Sequence, residues 1–116
     1  MKTNYSVMLI TTPDRRTSER LARLLVDGGL AACVNVIPGV RSRYCWKGKV
    51  ETAREELLMV KTKTALVGAV EKAVRKAHPY QVCEILSLGV MWGNPAYLRW
   101  IDQSTSPAER RGCSRT

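Results

Sequence analysis

A thiol, an imidazole and a carboxylate set the chemistry open to this chain: Cys33, His78 and Glu84. Thiolate and imidazole suit copper and zinc, and a carboxylate widens the range of divalent ions that can be held. His78 is the single histidine, and the cysteines at 33, 45, 83 and 113 show neither a Cys-x-x-Cys pair nor zinc-ribbon spacing. A closed structural zinc site is therefore not expected. Nucleophilic catalysis finds no footing: no Ser–His–Asp set stands out, no glycine loop cradles a phosphate, and the histidine has no evident orienting acid. The expectation is a binding protein rather than an enzyme.

Each of these residues also has an ordinary use. His78 can interact with the free carbonyls at the end of a helix. Glu84 can form a structural ion pair, with Lys61 as its candidate partner. Asn35, inside a strand, can bond the local backbone. The aromatic residues Tyr44, Trp46 and Tyr80 can pack at an interface or line a binding cleft beside Lys61.

Local signals give the elements that must position them. Tyr5 to Thr11 reads as a short apolar strand, and Thr12-Pro13 as an N-cap with proline at the first helical position. Ser18, Leu21, Ala22 and Leu25 recur at helical spacing before Gly28-Gly29 stops the helix. A second helix starts at Thr64, carries Leu66, Val67, Val70, Ala73, Val74 and Ala77 on one stripe, and ends at His78-Pro79. Glu84 to Val90 is a last strand, and Gly93-Asn94-Pro95 opens a short terminal helix.

Between the first two helices lies a very long β-hairpin. Val34, Val36, Val40, Ser42, Tyr44 and Trp46 alternate as on one face of a strand, Pro38-Gly39 interrupts the ladder, and Lys47-Gly48 turns the chain. Two arms of about 14 residues would reach ~45 Å, whereas a helix of about 16 residues covers only ~24 Å. The tip overhangs its own domain with apolar residues on it. Such an edge needs a partner, expected to be another copy of the chain.

The order β-α-β-β-α-β plus a terminal helix is the α+β ferredoxin-like plan, with strand order 4-1-3-2 and both main helices on one face. Residues 1–104 form a single domain, and 105–116 read as a basic, disordered tail. Met8, Ile10, Leu57 and Met59 cannot all face the helices, which is a second reason to expect association. In this order Cys33 and the His78–Glu84 pair lie at opposite sheet edges, three strand spacings or ~14 Å apart. One ion reaches both only if a neighbouring copy brings its own edge alongside.

The net charge of +9, of which the tail supplies +2, admits anionic partners. The ferredoxin-like plan also builds RNA-recognition domains, which stack bases on aromatics of their first and third strands. This chain has no Phe, and the third strand places Glu55 and Glu56 where bases would lie, so nucleic acid is not the expected partner. No apolar run approaches the ~20 residues of a membrane span, and the start of the chain does not read as a signal peptide. The cytoplasm is the expected location, with reduced thiols.

The blocks Thr11-Thr12-Pro13, Leu30-Ala-Ala-Cys33-Val-Asn35, Ile37-Pro-Gly39, Ser42-Arg-Tyr44, Trp46-Lys-Gly-Lys49, Lys61-Thr62, His78-Pro-Tyr80 and Glu84-Ile85 occur in one order across residues 5 to about 103. Together they closely resemble the CutA family of divalent-cation tolerance proteins. The resemblance implies a ferredoxin-like homotrimer whose long hairpins complete each other's sheets, with a link to copper and other divalent metals. Cys33, His78 and Glu84 are then the expected metal ligands, and Tyr44, Trp46, Lys61 and Tyr80 line the cleft. The alternative is a trimeric small-molecule sensor similar to the PII signalling family, which binds nucleotides between subunits without metal chemistry.

Overall fold

In a computed structural model, which describes residues 3–112, the chain runs β1 (Tyr5–Thr12), α1 (Arg15–Asp27), β2 (Cys33–Trp46), β3 (Lys49–Lys63), α2 (Val67–Ala77), β4 (Ile85–Gly89) and α3 (Pro95–Ser104). The four strands form one antiparallel sheet in the order β2-β3-β1-β4, the ferredoxin-like arrangement. Short 3-10 turns precede α2 at Thr64–Leu66 and follow α3 at Arg110–Gly112.

The helix boundaries follow from local chemistry, with one shift from expectation. Asp14, not Thr12, caps α1: its carboxylate accepts from the Thr17 backbone N–H at 2.8 Å. Thr12 stays in the ladder opposite Glu56 and buries its hydroxyl against that of Ser18. At the other end Gly29 takes φ +73°, a left-handed turn that lets Leu30 and Ala31 donate back to the Leu25 carbonyl. Pro95 occupies the first turn of α3, as its fixed φ allows.

Alternation in the strands decides what is buried. Met8 and Ile10 of β1 and Leu58 and Val60 of β3 meet Leu21 and Leu25 of α1 and Val70 and Val74 of α2, all at 0–1% exposure. Truncating one such residue, Leu58→Ala for example, would cost about 2–5 kcal/mol. The opposite face carries three rows read straight from the register: Cys33–Lys61–Val7–Leu88, Asn35–Met59–Leu9–Leu86 and Ile37–Leu57–Thr11. Leu86 and Leu88 remain 54% exposed there.

Beyond this body, β2 and β3 continue as a two-stranded ribbon, and the longest dimension of the molecule is 48 Å. Lys47 (φ 50°) and Gly48 (φ 78°) form its tip, the paired positive φ values of a type I′ turn. The Pro38-Gly39 interruption is a bulge: Ile37 pairs with Leu57 and Val40 with Glu55, so β2 spends one residue more than β3 between the two pairs. An extra residue reverses the faces. Val34 and Val36 share the helix side with Val60 and Leu58, but Val40, Ser42, Tyr44 and Trp46 share the open side with Glu55, Ala53, Glu51 and Lys49. The single alternating face read from the sequence is therefore two half-faces.

Residues 105–112 of the expected tail turn back on the body. Thr105 is buried, and Arg110 donates from Nη1 to the Asp27 carbonyl at 2.9 Å and from Nη2 to the Val26 carbonyl at 2.7 Å. Residues 113–116, with Cys113, lie outside the described residues.

Candidate functional site

The expected ligands occupy three separate settings. Cys33 opens β2 at the sheet edge, directly opposite Lys61 of β3. Asn35, two residues along on the same face, gathers both: its Oδ1 accepts from Lys61 Nζ and lies 3.9 Å from Cys33 Sγ. Lys61 is thus committed to Asn35 rather than to Glu84, and Asn35 bonds side chains rather than the local backbone. Glu84 is exposed just before β4, at the other edge of the sheet.

His78 follows the last residue of α2 and is 8% exposed. Its Nδ1 accepts the Tyr80 backbone N–H at 3.1 Å, which leaves the ring proton on Nε2 to donate to the Thr11 carbonyl at 2.7 Å. Both nitrogens are therefore used inside the chain. The sequence reading offered metal ligation or helix-end carbonyls; the ring instead holds the end of β1 against the segment after α2. Among the described residues, no three or more His, Cys, Asp or Glu side chains converge as a metal would require within one chain.

The aromatic residues divide in the same way. Tyr80 donates its hydroxyl to Glu55 Oε2 at 3.2 Å and stacks at a tilt on His78, with ring centres 4.9 Å apart. Burial, then the Glu55 charge and the hydrogen bond to it, push the Tyr80 phenol up to about 12, with a smaller contribution from Tyr44. Tyr80, Glu55 and His78 therefore form one cluster at the base of the ribbon. Trp46 sits at the tip opposite Lys49, 38% exposed, and Lys61 lies with Cys33 on the sheet body. The four expected cleft residues do not meet within one chain.

Sequence reasoning singled out Asn35 and Glu55 but missed that they organise these clusters. Glu55 is only 6% exposed although it lies in a run of two acids, and it meets Tyr80 from 25 residues away in the sequence. Beside it, Glu56 keeps Oε1 buried with no hydrogen-bond partner among the described residues. Two concavities flank α1: a shallow groove of about 700 Å³ between Arg16, Arg20, Arg23 and Leu24, and a smaller one of about 150 Å³ between Val26, Ala32, Trp100 and Arg110. Apolar exposure concentrates elsewhere, at Leu86 and Leu88 on β4 and at Met91 and Trp92 just after it, 83% and 80% exposed. No helix among the described residues is long and apolar enough to cross a membrane.

Comparison with known proteins converges on one group. Residues 6–104 match the family described as CutA1 divalent ion tolerance protein. Protein CutA of Mus musculus is 44% identical over 109 residues, covering 94% of this chain and 62% of the mouse protein. The divalent-cation tolerance protein CutA of Thermus thermophilus is 42% identical over 99 residues, covering 85% of this chain and 96% of that one. The crystal structure of CutA from Xylella fastidiosa superposes with a TM-score of 0.88 at 36% identity, covering 90% of this chain and all of that one. The chain thus spans less than two thirds of the mouse relative and nearly the full length of the bacterial ones.

Proposed function

Because the chain belongs to the CutA1 divalent ion tolerance protein family, we propose that it assembles as a homotrimer and binds copper or a related divalent cation at clefts between its copies, in response to metal ions. The observation that carries this reading is the placement of the donors. Cys33 opens β2 and Glu84 immediately precedes β4, the two outer strands of the sheet, and each outer strand has an edge without a neighbour within the sheet. A thiolate and a carboxylate so placed can share an ion only when one copy sets its β2 edge beside the β4 edge of another. The rows of apolar side chains on the open face, ending in Leu86 and Leu88, supply the surface that would drive such contact.

In this reading Cys33 of one copy and Glu84 of the next are the ligands, and the soft thiolate favours copper or zinc over magnesium or calcium. Asn35 and Lys61 orient the thiol from one side. His78 positions the segment that carries Glu84, because its nitrogens are spent on Thr11 and Tyr80. Tyr44 and Trp46 on the open side of the ribbon are covered by the neighbouring copy, and Tyr80 holds the ribbon base. The role is one of binding rather than catalysis, in the cytoplasm, where the free thiols of Cys33, Cys45 and Cys83 stay reduced.

Calorimetric titration with copper tests the assignment. The Cys33→Ala/Glu84→Ala variant should lose about tenfold or more in affinity while keeping its melting temperature. Unchanged isotherms reject these ligands. Light scattering should find a trimer at micromolar concentration, and a soluble monomer would remove the shared clefts.

A further inference from the structure

The bulge at Pro38-Gly39 leaves the ribbon with two chemically different sides. On the open side stand Tyr44 and Trp46 with Glu51 and Glu55. On the reverse side the register sets Arg41 directly opposite Arg54 and Arg43 opposite Thr52, and all four side chains are exposed. Like charges directly opposed across two strands destabilise a ladder. Among the described residues none of the three arginines meets a carboxylate: the two ion pairs, Arg15–Glu19 and Arg75–Glu71, lie within the helices. Three guanidinium groups without an acid cannot be buried against an apolar surface without a heavy desolvation cost. This side therefore faces either water or an anion.

Although the first and third strands offer no platform for stacked bases, we infer that the arginine side of the ribbon is a binding surface for the phosphate backbone of duplex DNA. Shape decides the class of anion. A small phosphate metabolite needs a concave pocket, and both concavities described above lie along α1, away from these arginines. The ribbon is a projection, so its ligand must supply the concavity. The major groove of B-DNA, about 12 Å wide, admits a two-stranded β-ribbon, whereas the major groove of duplex RNA is too narrow to enter. Arg41 and Arg43, two residues apart on one strand, stand ~6.6 Å from each other, a ladder of charge rather than a single point. Planar guanidinium groups pair with phosphate through two hydrogen bonds. Cys45, Val50 and Thr52 accompany the arginines on this side of β2–β3, so the contacts to phosphate come from the guanidinium groups alone. The inference stands on register and charge and requires neither the metal ligands nor the subunit contacts proposed above.

Fluorescence anisotropy of a labelled DNA duplex, titrated with the full chain between about 50 and 200 mM salt, tests it. The full chain should bind, with log affinity falling linearly against log salt. In Arg41→Gln/Arg43→Gln/Arg54→Gln the slope should shrink by about 2.7, or about 0.9 for each arginine. Arg16→Gln/Arg23→Gln/Lys72→Gln, equal in charge loss but on the helices, should keep the original slope. If the ribbon triple does not fold, Arg41→Gln alone should still lower the slope by about 0.9. Absence of duplex binding, equal slope loss in both triples, or tighter binding to anionic phosphatidylserine vesicles or to single-stranded RNA than to the duplex would overturn the assignment. Copper titration of the ribbon triple should match the unaltered chain, which separates this outcome from that of the metal site.

Discussion

His78 donates from Nε2 to the Thr11 carbonyl across 2.7 Å, joining residues 67 positions apart. Its second nitrogen accepts the Tyr80 N–H, so one buried ring closes the gap between the end of β1 and the loop that leads to β4. His78→Ala removes both bonds at a buried position and should cost about 1–3 kcal/mol of stability. Copper affinity in the folded variant should fall less than in Cys33→Ala/Glu84→Ala, because the ring positions Glu84 without touching the ion. Chemical denaturation and calorimetry on one preparation read both quantities, and a loss of copper binding at full stability would make the ring a ligand after all.

Alkaline titration should single out Tyr80. Its phenol is raised from 10.0 to about 12, chiefly by burial and then by Glu55, so the folded chain holds this proton where the unfolded chain releases it. The contribution to stability is complete below pH 10 and is lost as pH rises from 10 toward about 12. Tyr80→Phe should flatten that part of the stability profile. Tyrosinate absorbance followed with pH checks the raised titration directly.

Arg110 closes the carboxyl end of α1 from the far end of the chain. Its guanidinium bonds the carbonyls of Val26 and Asp27, and Nη1 would lie 3.2 Å from a Cβ placed on Gly29. A cation on the negative end of a helix contributes about 1 kcal/mol when partly covered. Arg110→Ala should lower the melting temperature by a corresponding few degrees, and truncation after Ser106 should reproduce that loss.

Deletion of Gly39 tests the face switch of the ribbon. With one residue fewer, β2 would match β3 step for step from Ile37–Leu57 to Val40–Glu55, and Tyr44 and Trp46 would stay opposite Glu51 and Lys49 on their present side without a bulge. The variant should keep its defined oligomeric state in light scattering, since the aromatic residues still face the open side of the sheet. A changed particle mass would mean that the ribbon slips by one residue and the aromatic residues leave the open side.

The sequence by itself determined the element order, the sheet topology and the length of the ribbon. Those properties rest on local physics: the helical spacing of Leu21 and Leu25, the turn at Lys47-Gly48, and the handedness of the crossovers. It also carried the family, through blocks such as Leu30-Ala-Ala-Cys33-Val-Asn35 that are specific only in combination. Tertiary structure alone decided which groups meet. Glu55 reached Tyr80, Lys61 reached Asn35, and His78 was spent on Thr11 because such partners lie 25 to 67 residues apart and their geometry depends on register. The separation of arginines from aromatics on the ribbon had the same origin. One added residue at Pro38-Gly39 inverts every side chain beyond it, and an alternating pattern read along the chain cannot show where the partner strand keeps its count.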